Sequence, residues 1–339
     1  MNASTDYLGY WMKRFFNEYI ITIRNLSRNT LKSYRDTFRL LIKHMFAKNN
    51  KTPDELLITD ITKDEVISFL NNLQTNRGIS ESTRNQRIAA IQSFAKYLSL
   101  QAPEHVEWCR EMRSIPKKRA EKKLITYLEK AEMDALLEMP DRSTAQGRRD
   151  YALLLFLYNT GVRAEEAASM KISALTLPSR KSDKTIPIAT ILGKGRKTRR
   201  CPLWDKTAEI LTALTKDRNP EDPVFLNRLG QSITRFGVYE MVTRYGNMLE
   251  AKMPAVKDKR ISPHTIRHTT ATHLLQAGVD INTIRAWLGH VSVNTTNIYA
   301  EVNLEMKAKA LQTCAPIESA KEKIKWENDE NLLTFLENL

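Results

Sequence analysis

A histidine and an arginine three residues apart form a pair of side chains suited to chemistry on a phosphate. They lie in SPHTIRH, residues 262–268. Ser262 suits a helix N-cap and Pro263 the first helical position, so His264 and Arg267 are predicted on one face of the opening turns. Free amides at a helix N-terminus, with an imidazole and a guanidinium, can hold a phosphate. Taken alone, these seven residues fit a capped helix with solvated polar side chains better.

A zinc site is the other chemistry that this segment suggests. His264 and His268 have the i,i+4 spacing of zinc ligands. The glutamate of the H-E-x-x-H pattern is absent, and Arg267 would repel a cation. The sequence therefore predicts no metal here.

Two more segments carry basic residues that could contact a phosphate. In NTGVRAEEAASM, residues 159–170, a Thr-Gly break ends an apolar helix and Glu166 follows Arg163 by three positions. Glu166 can orient Arg163 through a charge-assisted hydrogen bond, although a plain surface ion pair is common.

In GKGRK, residues 193–197, Lys194 is predicted between two glycines at a hairpin tip. There it either reaches a phosphate or belongs to a basic loop that binds nothing specific.

The segment AWLGHVSVNTTNIYAEV, residues 286–302, contains a histidine and a tyrosine. Gly289 is typical of a helix C-terminus, and His290 follows it directly. Ser292 and the Thr295-Thr296 pair are predicted to cap a short helix that carries Tyr299. Packing of Tyr299 into the core is the alternative.

These segments belong to a chain with a predicted boundary near residue 112. Residues 1–112 are predicted to form a helical domain, in which Ser27, Thr62 and Ser80 precede amphipathic helices. In the helix after Ser80, Arg84 and Arg87 are predicted on the exposed side, either as readers of a DNA groove or as a solvated face.

The rest of the chain divides into a linker, a second domain and a tail. Residues 113–123 carry a net charge of +5 and are predicted to be an exposed linker. A second domain, 124–317, is predicted to contain a helix starting at Thr126, a hairpin of TIPIATI and TRRCPL, and further helices. Residues 318–339 end in a short amphipathic helix.

Composition narrows the class of partner. The 339 residues carry a formal net charge of +14, with a pI of about 9.6, which favours nucleic acid first and a membrane surface second. The strongest apolar run, residues 151–158, is too short to span a bilayer. The N-terminus lacks a signal-peptide pattern, and three widely separated cysteines fit a reducing cytoplasm.

The order of the motifs is more specific than any one of them. A T-G-x-R-x-x-E string, a lysine in a turn, H-x-x-R, L-G-H and a tyrosine nine residues after that histidine resemble the tyrosine recombinase (phage integrase) family over residues 10–315. Ser27, Thr30 and Tyr34 match the S-x-x-T-x-x-x-Y pattern of its core-binding domain. One departure is Glu301, where the family often has histidine.

The resemblance implies a mainly α fold with a small β-sheet, in a two-domain C-shaped clamp. A helical, SAM-like core-binding domain would join an α/β catalytic domain of the DNA breaking-rejoining type. It implies these catalytic residues: Arg163, Lys194, His264, Arg267, His290 and Tyr299, with Glu166 supporting. The arginines would clamp the phosphate, His264 would accept the tyrosine proton, and Lys194 would protonate the leaving oxygen. His290 would hydrogen-bond the phosphate, and neither a cofactor nor a metal would be needed.

The resemblance also implies partners. Double-stranded DNA would lie against Lys117, Lys118 and Arg119, and a homotetramer on paired sites would exchange C-terminal helices. Packing of the tail helix onto its own domain is the alternative. A type IB topoisomerase acting as a monomer and a catalytically silent DNA-binding regulator are the rival functions. The resemblance leaves two biological roles open: integration and excision by an Xer-like or mobile-element enzyme, and resolution of dimers. It also leaves the target sequence open.

Overall fold

The computed structural model describes residues 6–119, 125–178, 185–193, 197–289 and 330–338. The chain forms two compact units, residues 1–123 and 124–339. Each unit has its own hydrophobic core. Over the described residues the chain is mostly helical with one small sheet, which confirms the predicted mainly α fold with a small β-sheet.

The N-terminal unit is built from helices joined by short loops. Its α-helices are α1 (Leu8–Arg14), α2 (Arg28–Asn49), α3 (Lys63–Arg77), α4 (Glu81–Gln101) and α5 (Val106–Ser114), with a π-helix at Phe15–Ile23 and a 3-10 turn at Pro103–His105. The side chains of Ser27, Thr62 and Ser80 each accept a hydrogen bond from the backbone amide three residues on. The three predicted caps are confirmed, because a side-chain oxygen at this position satisfies an amide that has no partner within the helix.

Aromatic side chains fill the core of this unit. The fully buried ring of Phe15 lies 5.3 Å from that of Phe94 and 6.2 Å from that of Phe38. The Trp108 indole donates a 2.7 Å hydrogen bond to the Ile61 carbonyl. Large rings with their polar atoms satisfied bury much apolar area, so this unit has a continuous core of its own.

The C-terminal unit combines helices with a three-stranded antiparallel sheet. Its elements are α6 (Lys130–Leu137), α7 (Ala145–Thr160), α8 (Ala164–Ala168), β1 (Leu175–Thr176), β2 (Ile188–Leu192), β3 (Thr198–Pro202), α9 (Asp205–Thr215), α10 (Arg235–Lys252), α11 (Pro263–Gln276), α12 (Ile281–Leu288) and α13 (Glu330–Glu337), with 3-10 turns at Ile172–Ala174 and Pro254–Val256. The predicted hairpin is confirmed, since β2 and β3 pair in register from Ile188↔Pro202 to Leu192↔Thr198. Strand β1 adds an edge that the sequence did not predict.

The helix predicted from Thr126 is displaced. Helix α6 begins at Lys130, because Glu129 is its N-cap and forms a reciprocal capping box with Glu132. The prediction at Thr126 was wrong by four residues. The core positions predicted in this segment, Leu128 and Met133, are fully buried.

Helix α7 is the centre of the C-terminal unit and is buried along most of its length. It packs on α11, where the Thr270 hydroxyl donates a 2.7 Å hydrogen bond to the Tyr158 carbonyl. Gly161 ends α7 with a φ of +59°, and a Cβ there would lie 2.5 Å from the Leu288 side chain. Only glycine allows this turn and this close approach. The ends of α7 and α12 therefore meet beside α11. None of the described helices combines the length and apolar character that a membrane span requires.

Candidate active site

Arg267 is almost completely buried in the C-terminal unit. It lies in the second turn of α11, after the Ser262 cap and Pro263, and exposes only 4% of its surface. Its guanidinium donates hydrogen bonds to the Gly161 and Leu288 carbonyls, the latter at 2.7 Å. Two main-chain acceptors from different segments hold the plane of the guanidinium, as bidentate recognition of a phosphate requires.

Arg163 begins α8 directly after the α7 turn. The Glu166 carboxylate accepts hydrogen bonds from the Arg163 amide at 3.0 Å and from its guanidinium at 2.9 Å. The Arg163 side chain is 36% exposed, whereas that of Glu166 is 6% exposed. The predicted pairing of Arg163 with Glu166 is present, and it leaves the guanidinium accessible from solvent.

Burial alone would raise the pKa of Glu166. Hydrogen bonds from Arg199 and from the Arg163 amide, with the charges of both arginines, outweigh this effect and hold the pKa below its usual range. Glu166 therefore remains an anion that orients Arg163 rather than a proton donor.

His264 lies in the first turn of α11, on the same helix as Arg267. Partial desolvation of its ring lowers the pKa of His264, and the positive charges of Arg267 and Arg163 lower it further. The structure thus brings His264 into the electrostatic environment of both arginines. An imidazole kept neutral near pH 7 can accept a proton, and His264 is exposed to solvent.

The other three predicted catalytic residues, Lys194, His290 and Tyr299, lie outside the described residues. Their flanking residues are described. Gly193 ends the β2 side of the hairpin turn, and Gly289 ends α12 in the left-handed conformation with a φ of +65°. The predicted helix stop at Gly289 is confirmed, and His290 follows it in sequence.

Arg199 is a site residue that sequence reasoning missed. It lies on β3, its side chain is 10% exposed, and it donates a 2.6 Å hydrogen bond to Glu166. A signal was available in the strand period. Alternation in TRRCPL places Arg199 on the same face as the buried Cys201, and a charged residue on an inward face needs a partner.

The predicted exposure of Arg84 on α4 is wrong, whereas the predicted DNA contact of Arg84 and Arg87 stays a prediction. Arg84 is 4% exposed rather than solvated. Arg87 is partly buried and donates hydrogen bonds to the Ser33 carbonyl at 3.2 Å and the Thr37 hydroxyl at 3.1 Å. Arg87 therefore ties α4 to α2.

The basic residues after α5 keep their side chains exposed. Lys117, Lys118 and Arg119 are all exposed. The backbone amide of Lys118 donates to the Asn85 side chain at 2.9 Å, and its ammonium donates to Gln74 at 2.7 Å. This part of the predicted linker is therefore attached to α3 and α4, and its role on DNA stays a prediction.

Metal binding gains no support from the described geometry. Across the described ranges, no group of three or more His, Cys, Asp or Glu side chains is placed to hold an ion. Burial and the nearby charges of His264 and Arg267 lower the pKa of His268 to about 4.

Family comparisons cover most of the chain. Residues 126–306 match the phage integrase family. Residues 13–102 match the phage integrase, N-terminal SAM-like domain.

Two relatives are similar over most of their length. One, named "Putative integrase/recombinase y4rC" of Sinorhizobium fredii, is 37% identical over 330 residues, which are 97% of each chain. Tyrosine recombinase XerD of Oceanobacillus iheyensis is 33% identical over 310 residues, covering 87% of this chain and 94% of that protein.

Solved structures share the fold. The XerH site-specific recombinase bound to palindromic difH substrate has a TM-score of 0.63 and 23% identity, covering 85% of this chain and 81% of that one. The Tn1549 transposon integrase in complex with circular intermediate DNA has a TM-score of 0.66 and 16% identity, covering 89% and 98%.

Proposed function

Because this chain belongs to the phage integrase family, we propose that Tyr299 attacks a DNA phosphate held by Arg163 and Arg267. The enzyme is a tyrosine site-specific recombinase, a DNA strand transferase that cleaves and rejoins DNA. Its partner is double-stranded DNA. The proposal assigns the roles of this chain's own residues in that reaction.

The two arginines balance the charge of the reacting phosphate. A phosphodiester carries one negative charge, and a second develops in the transition state as the tyrosine oxygen adds. Guanidinium groups stay charged at all working pH values and match the non-bridging oxygens in planar geometry. His290 adds a hydrogen bond to the same phosphate. These fixed charges do the work that a metal ion does in other strand-cleaving enzymes.

Protons move at two atoms. A tyrosine hydroxyl has an ordinary pKa of about 10, so Tyr299 must lose its proton to become a nucleophile at neutral pH. His264 accepts that proton. The bond from phosphorus to the Tyr299 oxygen forms while the bond to the 5′-oxygen breaks, and Lys194 protonates the leaving oxygen.

The product of cleavage is a 3′-phosphotyrosine. It conserves the phosphoester bond energy, so no ATP is consumed. Attack by the original 5′-hydroxyl reseals the strand, whereas attack by a partner strand's 5′-hydroxyl transfers it and forms a Holliday junction.

One observation carries the assignment. Arg267 donates to the carbonyls of Gly161 and Leu288, and these two residues directly precede the segments that contain Arg163 and His290. A single buried guanidinium therefore holds the starting points of the two segments close together in space. Sequence order alone gives no such convergence.

A suicide substrate tests the nucleophile. A duplex nicked close to the cleavage site loses its 5′-hydroxyl fragment after cleavage, so a covalent protein–DNA species accumulates. We expect this species with the wild type and with Tyr239→Phe, a control on the surface of α10, and none with Tyr299→Phe. An adduct with Tyr299→Phe, or none with wild-type protein that binds the substrate, would refute the proposal.

The tail helix is proposed to join four copies on paired DNA sites. Phe335 and Leu336 of α13 are 61% and 56% exposed, and a helix of eight residues is marginal without packing. We propose that each α13 docks on a neighbouring subunit of a homotetramer. Deletion of residues 326–339 should abolish pairing of two sites in a gel-shift assay while single-site cleavage persists, and unchanged pairing would exclude this exchange.

A further inference from the structure

Arg199 occupies the inward face of the hairpin, opposite the segment that contains Arg163. Strand β3 alternates between exposed and buried positions, and Arg199 points to the side of the fully buried Cys201. A guanidinium that is 10% exposed needs charged and polar partners. Its partners identify what it does.

The first partner is Glu166. The two Nη atoms of Arg199 donate to the two carboxylate oxygens, at 2.6 Å and 3.3 Å. The same carboxylate accepts from the amide and the guanidinium of Arg163. Arg199 therefore fixes the plane of the carboxylate that in turn orients Arg163.

The second partner is the end of α12. Arg199 Nε donates a 2.9 Å hydrogen bond to the Trp287 carbonyl. A Cβ on Gly289 would lie 3.1 Å from Arg199 Nη1, and one on Gly193 would lie 3.3 Å from the same atom. Both glycines therefore leave room for this guanidinium, one before His290 and the other before Lys194 in sequence.

We propose that Arg199 is a positioning residue of the strand-cleavage reaction, which sets the orientation of Arg163 through Glu166. The inference rests on the proposed function, because it takes Arg163 as a phosphate clamp. Arg199 acts on Arg163 through the shared Glu166 carboxylate. A planar fork with three bonds in fixed directions suits this role, and lysine cannot reproduce it.

Arg199→Lys keeps the positive charge beside Glu166 and removes the two-pronged contact. We expect single-turnover cleavage to slow by about 100-fold, the order of effect of a misplaced catalytic group. DNA affinity should stay near the wild-type value, and the loss of buried hydrogen bonds should lower the melting temperature by only a few degrees. Arg200→Lys is the matched control on the exposed face of the same strand, and it should cleave at the wild-type rate.

A change in the substrate separates positioning from general damage. Replacing a non-bridging oxygen of the scissile phosphate by methyl removes its negative charge, so less depends on a guanidinium clamp. On this methylphosphonate, the defects of Arg163→Ala and Arg199→Lys relative to wild type should both shrink, to about tenfold or less if the clamp contributes two orders of magnitude.

The outcomes distinguish the two claims. If the Arg163→Ala defect is equal on both substrates, the clamp role of Arg163 fails, and the proposed function with it. If Arg163→Ala is rescued and Arg199→Lys is not, only the positioning role is overturned. Wild-type cleavage by Arg199→Lys on the normal phosphate would overturn it as well.

A second variant covers the case in which Arg199→Lys fails to fold. The double variant Glu166→Gln/Arg199→Gln removes the buried ion pair as a unit and leaves amides that can hydrogen-bond each other. We expect it to fold and to show the same rescue on the methylphosphonate. A folded double variant that is slow on both substrates would overturn the inference.

Discussion

Two buried arginines, one in each unit, show opposite ways of placing a charge inside this protein. Arg84 in α4 and Arg267 in α11 are each 4% exposed, and each lies near the start of its helix. Arg267 donates to two main-chain carbonyls. Within the described part of the chain, Nε and Nη1 of Arg84 have no hydrogen-bond acceptor.

The contrast has an energetic consequence. A buried donor without an acceptor loses its hydration and gains nothing in return, at a cost of about 1–3 kcal/mol. Burial lowers the pKa of Arg84 for the same reason. Arg267 escapes this cost because the carbonyls of Gly161 and Leu288 replace water.

The largest expected effect is on the rate of DNA cleavage, when Arg267 is replaced. Arg267→Lys retains the charge but cannot hold both carbonyls and a phosphate with one ammonium group. We expect single-turnover cleavage at saturating protein to fall by about 10²–10³. The matched control is Arg84→Lys, which should cleave at a rate close to wild type. Equal losses for the two variants would remove the distinction between the two arginines.

A smaller effect is expected on the stability of the N-terminal unit. Arg84→Met replaces a guanidinium whose Nε and Nη1 lack acceptors with an apolar side chain of similar length, so the free energy of unfolding should rise by about 1–2 kcal/mol. Urea unfolding of the full chain measures it. Arg87→Met is the control, and it should be destabilising because it removes bonds to the Ser33 carbonyl and the Thr37 hydroxyl. A loss of stability in Arg84→Met would show that Arg84 has a compensating role.

The smallest expected effect is on the change of folding stability with pH. Burial lowers the pKa values of His268 and His273 in the folded C-terminal unit, that of His268 to about 4. The unfolded chain takes up protons near pH 6.5 while the folded chain does not, so stability is lost as pH falls below 6.5. Urea unfolding at pH 7.0 and 5.5 should show a decrease of about 1 kcal/mol from His268.

His268→Gln supplies the comparison for this measurement. Glutamine does not titrate in this range, so the variant should lose less stability between pH 7.0 and 5.5 than the wild type. An identical decrease in the two proteins would mean that His268 is as easily protonated in the folded state as in the unfolded chain.

Local signals were sufficient for several elements. Ser27 and Ser262 cap helices, and Gly289 ends one, because the interactions at a helix end involve only a few neighbouring residues. Helix α6 shows the limit of such signals. Thr126 is a good cap residue, but Glu129 and Glu132 satisfy the helix amides instead.

Side-chain direction was harder to predict than the elements. Arg84 was placed correctly on a helix and wrongly on its exposed side, because basic residues are usually exposed and no neighbouring residue signals otherwise. Arg199 was overlooked for a related reason. Its alternation with Cys201 was visible, but its acceptor lies 33 residues earlier in the chain.

The amino-acid sequence by itself determined the helix caps, the β2–β3 hairpin and the order of motifs that places the chain in its family. These depend on residues close together in the chain. The tertiary structure alone decided which arginines have partners, since Arg267 bonds to carbonyls 106 and 21 positions away. Packing of α7 on α11 and the close approach of Gly161 to Leu288 create that arrangement, and no local pattern encodes distances between segments so far apart.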